Sequence, residues 1–464
     1  MHVSRTTDNH TPNLPPTPSL RQTLGPSFIL LGLALGSGEI IMWPYLVANW
    51  GLGIIWGAVL GISIQFLLNT EIMRYTLYWG ESVFVGLRKL NRALPLWFIL
   101  STFIPWGLPG FSSAAGQIFG SLFSLTDYKY LSVVLLVLAG FFLSGGKTLY
   151  QTMEKWQRAV VFVSVPFFVF LTLYIAKATD YLALGQGLVG VGNGWQWLPK
   201  GIPLASFLGA LVYSGAGGNL NFAQSYYIKE KGFGMGKYAA KITSLFTPGE
   251  KTVPLEGRTF AHTQENAALW KKWWKRTNIE HALIFWFLGL ISILFLSLLS
   301  YALIHNQASP AGLDFIFQEG MVVAAKTIPV VRILFLSIVG LALYSTQIIV
   351  LESSSRIISE NYFLFSKKAG EKVNSSLGFY VALWAEITLG IVIILAGFKE
   401  PRFLLTLAAV LNAVAMTVAF PLVYILNKKT LGANYQPGLA RVVLLTLGFL
   451  FFVFFTLFTL RQIF

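Results

Sequence analysis

Two stretches decide how this sequence reads: Leu33-Ala34-Leu35-Gly36-Ser37-Gly38-Glu39-Ile40-Ile41 and Leu211-Val212-Tyr213-Ser214-Gly215-Ala216-Gly217-Gly218-Asn219. Each sits inside an apolar run long enough to cross a bilayer, about 20 residues. Glycine is the weakest helix former short of proline. Lipid offers freed backbone groups no partner. A glycine cluster at mid-run therefore predicts a helix that breaks where other protein lines it. The two breaks lie at similar depths in runs five spans apart, so the chain passes them in opposite directions. Such a pair points to an inverted repeat with a site at the midplane. The competing reading is close helix packing on small residues, which suits Gly32 with Gly36 and Gly57 with Gly61.

Of the 464 residues, 55% are apolar and 11% charged, against roughly 25% charged in a soluble domain. So few charges cannot cover a water-facing surface for 51.4 kDa. That excludes a soluble enzyme, a disordered protein and a nucleic-acid binder. The absence of cysteine excludes disulfide scaffolds, Cys-ligated zinc, iron–sulfur clusters and thiol nucleophiles.

Eleven apolar runs are predicted to span: 26–50, 53–73, 95–122, 129–145, 158–177, 202–228, 279–304, 330–352, 376–397, 402–426 and 438–460. With the N-terminus inside, 26 of the 34 Lys and Arg fall in inside segments and eight outside. A miscounted span would invert every later loop and blur that ratio. The expectation is an integral multi-pass protein of a bacterial inner or plasma membrane, N-terminus cytoplasmic and C-terminus outside. The formal charge of +15 then reports orientation rather than an anionic partner. Residues 1–25, polar and Pro-rich, read as a disordered cytoplasmic tail. Residues 26–464 read as one transmembrane domain with a cytoplasmic loop at 229–278. In that loop Trp270-Lys271-Lys272-Trp273-Trp274-Lys275-Arg276 reads as an interfacial anchor.

An unwound first break frees carbonyls near Leu33 to Gly36 for a cation. It also frees N–H groups at the start of the second half-helix, where the dipole favours an anion. Glu39 lies there, and an acid at mid-depth is a candidate functional residue by default; its plainer role is first-turn capping beside Ser37. Glu386, without a local partner, is a second proton-coupling candidate. Glu352 with Arg356 and Glu71 with Arg74 read as local ion pairs. The substrate-site candidates are Gly36, Ser37, Gly38, Glu39, Tyr213, Ser214, Gly215, Gly218, Asn219 and Asn412. Glu39 and Asn219 are the candidate metal ligands.

Gly145-Gly146-Lys147-Thr148 ends like a phosphate loop, but Phe141 stands where the first glycine is required. The five histidines fall in the tail, loops or span ends, so no buried histidine is expected. Met42 and Met416 read as packing or lipid-facing residues. No nucleophile–base set is recognisable, so neither a cofactor nor an enzyme is expected.

These features resemble the Nramp metal-ion transporters of the amino acid–polyamine–cation superfamily. The likeness runs from about Gly25 to Leu460. It is carried by Gly25-Pro26 with the break at 36–39 and Gly51, by Ser345-Thr346, by Glu360-Asn361-Tyr362, and by Asn412 with Phe420-Pro421-Leu422. The resemblance implies an all-α, LeuT-like inverted repeat of spans 1–5 and 6–10 plus an eleventh span. Where the family has Asp-Pro-Gly-Asn, this chain has Gly36-Ser37-Gly38-Glu39. Where it has Met-Pro-His, this chain has Ala216-Gly217-Gly218, and the acids of its third span have no counterpart in 111–117.

Two functions follow. The first is a secondary transporter of a hard divalent cation such as magnesium or manganese, because the remaining ligands are oxygen only. The second moves an amino acid or other small organic solute, its anionic group on the Gly36–Gly38 amides. A non-transporting receptor lacks a signalling domain here. The expected partners are a small ion or molecule and the bilayer, with no nucleic acid; a monomer is compatible with the sequence.

Overall fold

The computed structural model describes residues 12–145, 148–192, 194–195, 197–239, 241, 252–305, 307, 312–367 and 370–463. Among these, nine helices are long and apolar enough to cross a membrane. They are α1 (Pro26–Trp50), α2 (Leu52–Trp79), α3 (Leu94–Leu122), α5 (Leu149–Ile175), α7 (Gln264–Ile304), α8 (Pro329–Ser366), α9 (Ser375–Leu395), α10 (Pro401–Thr430) and α11 (Leu439–Gln462). The other two expected spans are present in shorter form. Helix α4, Lys129–Ser144, has 16 residues. Span 6 is split into Leu204–Tyr213 and Gln224–Lys231, joined by a 3-10 turn over Gly218–Ala223; together these are α6. The architecture is that of an all-helical, multi-pass membrane protein.

The interruption of α1 takes a different form from the expected unwinding. Over Leu35–Met42 the helix widens to a π-helical segment and then resumes. A π segment keeps its backbone hydrogen bonds while inserting extra residues, and such segments are frequent at functional sites. A second π segment, Ala282–Leu288, lies in α7. Helix α3 is also interrupted, at Gly107-Leu108-Pro109 between two helical halves, because Pro109 has no N–H to continue the ladder.

Helices α1 and α6 run antiparallel and touch at both levels. At one end Gly25 lies against Glu154 and Lys231. At mid-depth Gly38 lies against Tyr213. At the first of these ends Arg158 and Lys231 both pair with Glu154.

Several expectations change there. From Pro12 to Gly25 the tail is packed, not disordered. Leu14 is buried, its N–H donates to Asn266 Oδ1 (3.1 Å), and Trp273 Nε1 donates to the Pro15 carbonyl (2.7 Å). Residues 1–11, Gly146 and Lys147 lie outside the described residues. Trp270 and Trp273 are buried rather than interfacial. Trp270 packs on Tyr78, Phe260 and Tyr435, while Trp274 lies under Arg74 (3.9 Å) and Arg441 (4.8 Å). The helix they belong to continues directly into the seventh span, so its apolar face is covered by protein.

The expected local pairs form: Glu71 with Arg74 (2.6 Å) and Glu352 with Arg356. Arg356 also pairs with Glu230 of α6, and all three are buried. His281, in contrast to the expectation of no buried histidine, is fully buried in α7. Met42 and Met416 are both buried and serve packing.

Candidate functional site

The break in α6 follows from its glycines. Gly217 and Gly218 have φ of +73° and +52°, the left-handed region that side chains rarely adopt. At Gly218 a Cβ would also overlap Asn412. Unwinding leaves carbonyls and an N–H without helical partners, which at this depth must be satisfied by protein. One side chain does most of this. Gln65 of α2 donates through Nε2 to the carbonyls of Leu211 (3.3 Å) and Val212 (2.9 Å). Its Oε1 accepts from Gly217 N (3.1 Å) and Asn221 Nδ2 (3.2 Å). A carboxamide carries both donors and an acceptor, so it serves both sides of the break. A cation drawn to those carbonyls would compete with the Gln65 amide. Sequence reasoning missed Gln65 because its partners lie some 150 residues away; no local signal marks it.

Helix α1 meets this break at Gly38, where a Cβ would overlap the Tyr213 carbonyl oxygen. Gly36 is equally close to Thr346 of α8, whose hydroxyl donates to the Gly32 carbonyl (2.8 Å). Gly36 and Gly38 are therefore contact points between helices, and the space beside them is filled by protein. The Ser37 side chain lies outside the described residues. Ser214 is also engaged: it accepts from Trp43 Nε1 (2.8 Å) and donates to the Ala210 carbonyl (2.8 Å). Gly215 lies against Gln65 and Phe285.

Four of the expected residues gather on the α3 and α10 side of the break. Asn219 donates to Ser101 Oγ (2.7 Å) and Thr102 Oγ1 (3.0 Å) of α3, and its Oδ1 is buried without a partner. Asn412 of α10 lies against Gly218, fully buried, with neither end of its carboxamide in a hydrogen bond of normal geometry. The Tyr213 hydroxyl is beside Asn412. Its ring is flanked by Trp106 (5.7 Å) and Phe111 (6.4 Å).

Glu39 faces the other way. It is fully buried on the π segment of α1, against Gly289 and Ser292 of α7. Neither carboxylate oxygen makes a hydrogen bond of normal geometry. Burying a carboxylate without partners costs several kcal/mol, so capping chemistry alone does not account for it. Glu39 and Asn219 are turned to different helices, α7 and α3. The two expected metal ligands are thus not assembled around a shared point in this structure. No group of three or more His, Asp or Glu among the described residues could hold a metal ion. Glu386 does find partners, from α8: Ser354 and Ser355 donate to its Oε2 (2.8 and 2.7 Å), while Oε1 is unpartnered.

No family model matches the chain, and no curated protein matches it in sequence. Among solved structures it is similar to the manganese transporter of Eremococcus coleocola in complex with an aromatic bis-isothiourea substituted compound. That likeness has a TM-score of 0.69 at 13% identity, over 100% of this chain and 91% of the other. It is also similar to Mhp1, a nucleobase-cation-symport-1 family transporter with bromovinylhydantoin bound, with a TM-score of 0.52 at 14% identity over 98% and 96%. The fold is therefore the LeuT-like inverted repeat, with helices 1 and 6 interrupted.

Proposed function

We propose that this chain is an Nramp-related secondary transporter of a hard divalent cation, magnesium or manganese, with its N-terminus cytoplasmic and its C-terminus outside. The observation that carries the reading is Glu39, fully buried at the interrupted level of α1, with the Ser292 hydroxyl beside it and no hydrogen bond of normal geometry to either carboxylate oxygen. Buried polar groups in native proteins have partners, and an exception calls for an explanation such as a ligand. Asn219 Oδ1 is a further unpartnered oxygen across the α1–α6 contact. An oxygen-only donor set suits a hard cation. A fold held in common with a manganese transporter agrees with that choice.

Bringing Glu39 and Asn219 to one ion requires α1 and α6 to shift relative to each other, as a transport cycle would. Proton coupling in this reading falls to Glu39 or to Glu386, whose Oε1 is unpartnered. The alternative, an organic solute on the Gly36–Gly38 amides, is disfavoured because Thr346 and the Tyr213 carbonyl fill the space beside Gly36 and Gly38.

The test is Mn2+ and Mg2+ uptake into proteoliposomes, with parallel thermal-shift measurements against both metals and amino acids. Metal uptake and metal-dependent stabilisation are expected in the native protein and absent in Glu39→Gln. Stabilisation by an amino acid with no response to either metal overturns the reading.

A further inference from the structure

A second buried polar cluster lies well away from Glu39, where the start of α1 meets α7. Ser27 Oγ donates to Glu280 Oε2 (2.6 Å) and lies 2.7 Å from His281 Nδ1. Glu280 Oε1 also accepts from the N–H groups of Gly25 (3.2 Å) and Ser27 (3.1 Å). All three side chains are fully buried. Glu280 by itself reads as a cap on α1, since it takes N–H groups that a helix start leaves free. Capping does not explain His281. Its ring is sandwiched between Phe66 (5.3 Å) and Phe285 (4.6 Å), and its Nε2 has no hydrogen-bond partner.

With Glu280 ionised, the hydrogen-bond chemistry fixes a tautomer. Ser27 has one proton, and it goes to Glu280. His281 Nδ1 must then donate to Ser27 Oγ, which leaves Nε2 as a bare lone pair. A buried base and a buried acid are thus joined by one hydroxyl.

We propose that Glu280, Ser27 and His281 form a proton-binding site. A proton arriving at His281 Nε2 makes the ring cationic. As Nδ1 gives its proton to Ser27 Oγ, the Ser27 proton moves to Glu280 Oε2. The products are a neutral acid, an intact hydroxyl and a neutral imidazole carrying its proton on Nε2. One proton is gained in all, and no other reactant is needed. Protonated Glu280 holds the α1 N–H groups less strongly than the carboxylate, because charge-assisted hydrogen bonds are roughly twice as strong as neutral ones. Proton binding therefore loosens the tie between the start of α1 and α7.

The neighbouring groups are compatible with this. Helix α6 contributes Gln224, whose Nε2 lies 3.5 Å from Ser27 Oγ, and Lys231. Helix α5 contributes Tyr150, Arg158 and Glu154, the last paired with both Lys231 (2.8 Å) and Arg158 (2.6 Å). Helix α2 contributes Phe66 and Met73. The local cations are thus partly neutralised by Glu154. As a coupling site the cluster rests on the transporter reading; as a proton site it does not.

Two measurements separate these. Histidine-selective 15N NMR of the purified full chain, titrated from about pH 5 to 9, reads His281 directly, with His281→Asn identifying its signal among the five histidines. The expected result is an Nδ1–H tautomer at high pH that gives way to an Nε2–H tautomer at low pH, with a midpoint that moves by about one pH unit or more in Glu280→Gln, the size expected when a close charge is removed. A His281 ring that keeps the Nδ1–H tautomer throughout, or a tautomer change unmoved in Glu280→Gln, overturns the proton site. In proteoliposomes, His281→Asn should lose the stimulation of Mn2+ uptake by an acid gradient and keep gradient-free uptake. Retained stimulation overturns the coupling role. If the native protein moves neither metal, the transporter reading fails while the NMR result still decides the proton site. Ser27→Ala, which removes one hydroxyl, provides the same readouts should His281→Asn not fold.

Discussion

At the residue scale, the side chain that holds the candidate site together is Gln65. It makes four hydrogen bonds to the broken segment of α6. Gln65→Leu keeps much of the volume and leaves two carbonyls and an N–H buried without partners. At about 1–3 kcal/mol for each orphaned group, a loss of at least about 3 kcal/mol is expected, read as a lower Tm in detergent. Glu319, on the helix Asp314–Lys326 between α7 and α8, offers a pH test. Burial pushes its carboxyl up to about 8, against an opposing contact from the Ser300 hydroxyl. Folding then takes up a proton, so stability is full below about pH 4.5, falls as pH rises to about 8, and is flat above. Glu319→Gln should therefore match the native protein near pH 4.5 and exceed it at pH 8.5, by at most about 5 kcal/mol. An equal Tm difference at both values would contradict this. Glu39 was legible from sequence because an acid inside an apolar run is conspicuous; Gln65 was not, because a single amide in such a run has no period or motif.

At the scale of elements, the second half of α6 is tied to α8 by Arg356, buried between Glu352 on its own helix and Glu230 across the interface. Tyr227 adds a hydrogen bond to Glu352 Oε2 (2.8 Å). Removing one partner of a buried pair is far more costly than the pair is worth, so Arg356→Ala is a poor probe. Glu230→Gln is gentler, since Arg356 then retains Glu352. The native chain has no cysteine, which makes a single reporter thiol at buried position 225 possible without background. With Ser225→Cys as reporter, Glu230→Gln should raise the maleimide labelling rate about tenfold, equivalent to about 1.4 kcal/mol off the opening cost. An unchanged rate would mean that this pair does not hold the basic end closed. The i,i+4 spacing announced Glu352 with Arg356; Glu230 could be assigned only when α6 and α8 were side by side.

At the scale of the whole molecule, the proposed topology of eleven spans with the N-terminus inside is one that reporter fusions can check. A reporter after Ile463 should be active only as an extracytoplasmic enzyme. One inserted near His262 should be active only in the cytoplasm. Two reporters on the same side would remove one span from the count. By itself the sequence determined the membrane class and the level of the two interruptions. Those depend on hydropathy, charge and glycine content, all written locally along the chain. It did not determine that α1 bends into a π segment while α6 unwinds, since both begin as glycine clusters. Nor did it determine that Glu39 faces α7 while Asn219 faces α3, or that His281 is buried. Those outcomes depend on which helix supplies the facing surface, and the facing helix comes from far along the chain. Only packing therefore decided whether each freed group meets a carboxamide, a hydroxyl or nothing.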